Sequence, residues 1–281
     1  MTLALRTPLA VFATGLLALS LHVGAFAFLI EREVFTSENF VASTVAALGE
    51  ESSRDAMGKL IVDQLIDEYP LLIILESNLV PMFSDLLGTP ALREVIALVG
   101  IDIHERIVTG NQDAVAIDLV SYRDTILLPL EAVAPRLADL VPESWFVSVE
   151  VLEAGTLPDL SRYVETVGLA LFISLAVAVL LIAFLLRFVQ RRGVAVALIG
   201  VAFMLAAIAT SALVPGGRWL TIAALKGEQN QTIVVNVYNE FTDPLFAGAS
   251  MLAITGVALI AVGIAMRTGR NSTQQHSPGE G

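Results

Sequence analysis

Residues 167–214 read VGLALFISLAVAVLLIAFLL, RFVQRRG, VAVALIGVAFMLAAIATSALV, and these three blocks decide the fold. Two apolar runs, Val167 to Leu186 and Val194 to Val214, hold no Asp, Glu, Lys or Arg, and the short link between them holds Arg187, Arg191 and Arg192 with no acid. At about 1.5 Å rise per residue, 20 or so helical residues cover roughly 30 Å, the thickness of a bilayer's hydrocarbon core. The pattern is a pair of membrane helices joined by a basic turn.

Working outward, two more stretches qualify, Pro8 to Ile30 before the pair and Leu245 to Met266 after it. His22 is the one ionisable side chain inside any of the four. The whole composition agrees: of 281 residues 56% are hydrophobic and 16% charged, with a mean hydropathy of +0.76. Soluble domains carry about 25% charged residues. The net charge of −12 has the wrong sign for a nucleic-acid partner. The absence of cysteine excludes disulfides, thiolate metal sites and thiol nucleophiles.

The flanking charges set an expected orientation. Residues 31–162 carry 23 acids and 8 bases, a net of −15, whereas Arg6, the 187–193 link, Arg267 and Arg270 supply the basic ends. By the positive-inside rule those ends are cytoplasmic. The expected order is a cytoplasmic N-terminus (1–7), span 8–30, an extracytoplasmic domain (31–162), span 163–186, a basic loop (187–193), span 194–214, an extracytoplasmic loop (215–244), span 245–266 and a cytoplasmic tail (267–281). Ala25-Phe26-Ala27 is an A-x-A pattern that would allow cleavage as a signal peptide and leave three spans; the apolar run continuing through Phe28-Leu29-Ile30 favours an uncleaved anchor.

The outward segment is long enough to bury a core of its own, and its pattern is mostly helical. Ser37 reads as the N-cap of a helix over 38–48 stopped by Gly49. A second helix spans Ser53 to Tyr69, with Met57, Ile61, Leu65 and Tyr69 as its apolar stripe. Asp55, Lys59, Asp63 and Asp67 make a solvated row opposite. Residues 70–87, with Leu71 to Leu75 uninterrupted, are too short to span and read as a buried helix, the alternative being one resting on the bilayer surface. Thr89-Pro90 opens a helix that stops at Gly110, and another is expected over 123–140, bent by Pro129 and Pro135. The stretches around Val115, Ile117 and Leu119 and from Trp145 to Leu152 look extended and suited to a two-stranded ribbon. From Pro158 the chain is helical and runs into the second span past Tyr163, an interfacial aromatic. In 215–244, Pro215-Gly216-Gly217 opens a loop with a β-like stretch at Thr232 to Tyr238, and the tail Asn271 to Gly281 is expected to be disordered.

The opening Val34-Phe35-Thr36-Ser37-Glu38-Asn39-Phe40-Val41, the helix register at Asp63 to Ile66, the Gly110 to Leu119 stretch and Leu157-Pro158-Asp159-Leu160 before a basic-looped hairpin of spans carry a resemblance. The chain resembles, over roughly residues 5 to 266, a broad group of uncharacterised integral membrane proteins common in actinobacteria. The resemblance implies this architecture and no activity, and it transfers no site residue.

No catalytic constellation is legible. His104-Glu105 begins like the H-E-x-x-H metalloprotease signature, but Val108 stands where the second histidine belongs. Asp102, His104 and Glu105 therefore read as a solvated helix face. Glu50, Glu51, Asp55, Asp63, Asp67 and Glu68 lack the spacing of a calcium loop and read as an acidic surface. Gly248-Ala249-Ser250 and Gly58-Lys59 fail as a nucleophile elbow and a phosphate loop. His22 reads as a neutral imidazole bonded to a neighbouring helix. Small-residue rows at Ala10, Thr14 and Ala18, at Ala202, Ala206 and Thr210, at Ser20 and Gly24, and at Gly248 and Gly256 read as helix-packing faces.

The fold class expected is thus an all-α membrane protein of the cell membrane, with four spans and a mostly helical extracytoplasmic domain between the first two. No catalytic, cofactor or metal residue is assigned. The expected role is a non-enzymatic, membrane-anchored binding or accessory module. Its partners are the lipid bilayer and either a second protein or a second copy, met through the small-residue faces. The alternative is a component of an oligomeric transporter or channel.

Overall fold

The computed structural model describes residues 3–111, 115–118, 148–152, 160–224 and 227–274. The chain order is α1 (Leu3–Leu29), a π-helical turn (Ile30–Val34), α2 (Ser37–Gly49), α3 (Glu51–Glu68), a 3₁₀ turn (Pro70–Leu75), α4 (Glu76–Leu87), α5 (Pro90–Thr109), β1 (Val115–Asp118), β2 (Ser148–Leu152), α6 (Ser161–Phe188), α7 (Arg192–Ala224) and α8 (Glu228–Gln274). The described chain is helical apart from one short pairing. There β1 and β2 lie antiparallel, Ala116 opposite Glu150 and Ile117 opposite Val149, with an irregularity after Val115. The helix expected over 123–140, His276 and the Leu157–Asp159 motif lie outside the described residues.

Two compact units emerge. The first comprises residues 1–31, 165–216 and 243–281. It is a bundle of α1 and the apolar parts of α6, α7 and α8, built inside out relative to a soluble protein. Most of its buried positions are small, including Ala13, Ala18, Ala178, Ala202, Ala206 and Ala249 beside the larger Leu17, Leu185 and Ile199, whereas Phe12, Phe172, Leu180, Met251 and Ile254 are exposed. In water that exposure would be costly. Against lipid tails it costs nothing, and small interior residues let helix backbones approach. Among the described residues five helical stretches are long and apolar enough to cross a membrane: 8–34, 70–87, 161–188, 192–223 and 228–268. The fifth candidate, beyond those read from the sequence, is Pro70–Leu87.

The second unit comprises 32–164 and 217–242. In it α3 and α4 form a hairpin so close at one point that a side chain on Gly58 would lie 2.9 Å from the Val80 carbonyl oxygen. The Ser84 hydroxyl donates to Asp55 and Lys59 bridges Asp63 and Glu76. The Asp55–Lys59–Asp63 row keeps the acid–lysine pair read from the sequence, with Lys59 and Asp63 more than a third exposed, and also reaches α4 through Ser84 and Glu76, beside the glycine that admits that helix. The buried positions of α3 are correspondingly Ser53, Ala56 and Val62, while Tyr69 of the expected stripe is exposed.

Beside this hairpin α2 packs on α5, Val41 against Gly100. The start of α5 forms as its sequence implies. The Thr89 hydroxyl accepts from the Leu92 amide at 3.4 Å, Pro90 stands at the first helical position where it forfeits no hydrogen bond, and Gly110 ends the helix with φ 73°. In α2, Thr36 holds the N-cap position and Ser37 is the first helical residue, so the helix starts one residue earlier than read from the sequence, and no side chain caps it.

Four further expectations are corrected. Residues 232–238 are helical, not extended: α8 starts at Glu228 after Gly227, at φ 90°, breaks the chain. The β-branched residues there cost only a few tenths of a kcal/mol each in a helix that the following apolar run already nucleates. Pro215-Gly216-Gly217 does not open a loop, because α7 continues through it to Ala224. At the far end α8 extends through Asn271–Gln274, into the tail expected to be disordered, since adding a turn to an existing helix needs no new nucleus. Finally, 70–75 is not buried: Leu71 is 85% and Ile74 80% exposed. In a 3₁₀ turn residues three apart eclipse, so 71 and 74 share one edge, and it is Leu79 and Ser84 of α4 that are buried.

Candidate functional site

In the membrane bundle the polar feature is His22. Its Nδ1 lies 2.8 Å from the Thr210 hydroxyl, which is fully buried on α7. The imidazole thus has its partner on a neighbouring helix. Thr210 belongs to the row Ala202, Ala206, Thr210, all but inaccessible, and on α1 Thr14 and Ala18 are buried with Ala10 partly so, the Thr14 hydroxyl turned back on the Ala10 carbonyl at 2.8 Å. Gly24 meets Ser174 of α6, where a side chain would stand 3.3 Å from the serine Cβ. These rows are packing faces, and they consume the polar atoms they contain.

The tightest contact in the bundle joins Gly256, expected on a packing face, to three glycines outside the expected rows, Gly193, Gly200 and Gly263. A side chain on Gly200 would lie 2.6 Å from the Gly256 carbonyl oxygen, and one on Gly256 2.8 Å from that of Gly200. Two helical turns away the relation repeats: Gly193 would reach within 2.6 Å of the Gly263 oxygen and Gly263 within 2.5 Å of the Gly193 oxygen. The two pairs step in opposite directions, so α7 and α8 run antiparallel with glycines facing glycines. The seven-residue spacing on both helices was the available signal. It keeps one face turned to the partner along a shallow left-handed crossing. Gly248, by contrast, has nothing within 4 Å, so the expected Gly248–Gly256 row is only half a contact.

In the second unit His104 is 7% exposed, its ring centroid 5.2 Å from that of Phe40, and Phe40 in turn stands 5.3 Å from Phe241 of α8. The solvated-face reading is therefore corrected for His104. Gly100, His104 and Ile107 fall on one stripe at helical spacing, and that stripe is the buried one. Asp102 keeps an exposed face and pairs with Arg106 at 2.9 Å, and Glu105 is exposed. His104 Nε2 has no hydrogen-bond partner, but the ring packs against Phe40 and belongs to no metal-ligating group among the described residues. Among the described residues no three His, Asp or Glu side chains come together as a metal-binding group.

The same unit ties in the start of α8. The Asn236 side-chain amide donates to the Ser52 and Ser53 hydroxyls, each at 2.7 Å. The Tyr238 hydroxyl fills the space that a side chain on Gly217 would need, at 2.4 Å. Burial pushes the Tyr238 phenol above its ordinary value, opposed by a hydrogen bond with the Arg218 backbone. Gly217 is thus the glycine that accommodates Tyr238 and not a loop opener. The Lys59 ammonium is raised by its hydrogen bonds to Glu76 and then Asp63. Both carboxylates are more than a third exposed, so these pairs orient the hairpin more than they stabilise it.

Comparison of the chain with family models, with curated proteins and with solved structures finds no match.

Proposed function

We propose that the chain is a four-span protein of the cell membrane, with both termini cytoplasmic, that displays the unit built from 31–162 and 215–244 outside the cytoplasm as a non-enzymatic binding or accessory module. The observation that carries the reading is the contrast between the two units. One has glycine and alanine faces with their polar atoms already consumed, and the other is a larger helical body with an acidic surface. The resemblance to the actinobacterial membrane group belongs to this proposal. Leaving 70–87 out of the span count is supported by its bonds to α3: a helix whose Ser84 is held to Asp55 and whose Glu76 is held to Lys59 would carry those charges into lipid, where each is expensive.

Orientation is tested with single cysteines, which a chain without cysteine makes unambiguous. With a membrane-impermeant maleimide, Ser77→Cys reacts in intact cells and Arg191→Cys only after permeabilisation; the reverse pattern refutes the orientation. The role is tested by affinity purification of the tagged chain from native membranes in mild detergent, with the mass of the complex measured. A stoichiometric protein partner supports an accessory module. A discrete homo-oligomer that conducts on reconstitution refutes it in favour of a channel or transporter component, for which the His22–Thr210 pair inside the bundle is the supporting observation.

A further inference from the structure

We propose that the uncharged turn Tyr69–Leu75 is a lipid-contacting tip that sits in the hydrocarbon edge of the bilayer to which the chain's own spans belong. The seven residues Tyr-Pro-Leu-Leu-Ile-Ile-Leu lie between Asp67-Glu68 and Glu76. Four of their apolar side chains are turned outward: Leu71 at 85%, Ile74 at 80%, Ile73 at 59% and Leu75 at 42% exposure. The stretch from Pro70 to Leu87 is as little buried as the bundle helices 161–188 and 228–268, whose large side chains face lipid. It is thus one of the few places in the second unit that has the exposure pattern of a membrane-facing surface.

Three considerations select lipid over a protein partner. The patch is a single turn exposing on the order of a few hundred Å², below the roughly 800 Å² that each side of a stable protein–protein interface buries. The lipid surface is also always present: the chain passes between the two units at 31/32, 164/165, 216/217 and 242/243, so this unit is covalently held to the membrane helices at four points. The charge pattern fits shallow insertion as well. Tyr69, 45% exposed, brings an amphipathic ring at the turn's start. Glu76 is held by Lys59 just beyond its end. An uncharged turn bounded by acids can enter about 5–10 Å, to the acyl boundary, and go no deeper. The acids disfavour attraction to anionic headgroups, so hydrocarbon and not surface charge is the attracting phase. The proposal holds for either face of the membrane and does not depend on the orientation assigned above.

The test uses the full chain in phosphatidylcholine nanodiscs, with a nitroxide on Ile74→Cys and, as reference, on Asp85→Cys at an exposed site of the same hairpin. Collision with oxygen, which concentrates in hydrocarbon, is compared with collision with a water-soluble nickel complex. The oxygen-to-nickel ratio at position 74 is expected to exceed that at position 85 several-fold. Adding Leu71→Asp should bring it down to the reference value with helix content unchanged, because the Leu71 side chain is 85% exposed. Equal ratios at 74 and 85 overturn the proposal, as does a ratio at 74 that Leu71→Asp leaves high. An immobilised label that neither reagent reaches also overturns it, since a protein surface or a second copy then covers the tip.

Discussion

Replacing Gly200 by alanine puts one methyl group into the antiparallel seam between α7 and α8, and its cost can be worked from the geometry. The new Cβ would lie 2.6 Å from the Gly256 carbonyl oxygen, 2.8 Å from Ile260 Cγ1 and 2.9 Å from the Ile260 nitrogen. Two of these three are backbone atoms, so no rotamer change relieves them and the helices must separate by nearly 1 Å to reach ordinary contact. A gap of 0.5–1 Å forfeits about a quarter to a half of each van der Waals contact it opens, and overpacking of this kind costs about 1–3 kcal/mol. Alanine also favours a helix over glycine by up to about 1 kcal/mol, which would mask part of the loss. Gly248→Ala, on α8 with nothing within 4 Å, carries that propensity gain without the clash. The difference between the two variants isolates the seam and should be about 1–3 kcal/mol. The assay is denaturation in mixed micelles with increasing sodium dodecyl sulfate, followed by helix circular dichroism. Gly200→Ala with Gly256→Ala should cost less than the sum of the singles, because one outward shift admits both methyls. If Gly200→Ala and Gly248→Ala unfold at the same detergent fraction, the close approach does not contribute and the reasoning fails.

Three other outcomes are expected. Thr210→Val should destabilise the bundle by about 0.6–1.7 kcal/mol in the same denaturation, and adding His22→Leu should recover part of the loss by removing the polar atom left alone; a double variant that sums the singles would show the pair is not coupled. In an alkaline titration followed by tyrosinate absorbance, Tyr238 should ionise above the ordinary phenol value, and Tyr238→Phe should remove that raised component. Its sign follows from the raised value: the contribution to stability is complete below the ordinary phenol value of about 10 and is lost as pH rises through the folded-state value. Thr89→Ala should cost about 1 kcal/mol and loosen the first turn of α5 in hydrogen exchange, while Thr89→Ser should not.

The parts of this fold that were legible in the sequence are those in which one residue type decides locally. Charge-free apolar runs give membrane-length helices. Thr89-Pro90 and Gly110 mark the ends of α5 because a hydroxyl, a missing N–H and a left-handed backbone each do one local job. What escaped depended on a partner. Gly193, Gly200, Gly256 and Gly263 show their seven-residue spacing in the sequence, but nothing along the chain says that the two pairs face each other. The burial of His104 is masked in the sequence by Asp102 and Glu105 beside it, which belong to the wet side, although Gly100 and Ile107 share its spacing on the dry one. Residues 232–238 carry β-branched side chains, and local preference was outweighed by the helix that Asn236, Tyr238 and Phe241 anchor to the rest of the unit.

That last correction changes what the segment between the third and fourth apolar runs is. It is not a loop appended to a separate domain, because its side chains complete that domain's interior: Phe241 closes the Phe40–His104 stack and Asn236 satisfies Ser52 and Ser53. The chain leaves this unit by helices and not by flexible links. α7 carries Pro215 next to the 216/217 passage, α8 carries Pro244 next to 242/243, and the π-helical turn Ile30–Val34 spans 31/32. A proline removes one intrahelical hydrogen bond and a π-turn displaces one, so both are places where a helix bends at less cost than elsewhere. Three of the four passages therefore carry a local interruption of the helical ladder. The glycine seam just inside the bundle is the opposite, a stretch where α7 and α8 cannot separate without losing contact along two turns. Replacing Pro215 and Pro244 by alanine restores the hydrogen bond that each removes, and is the change that would stiffen α7 and α8 at these points.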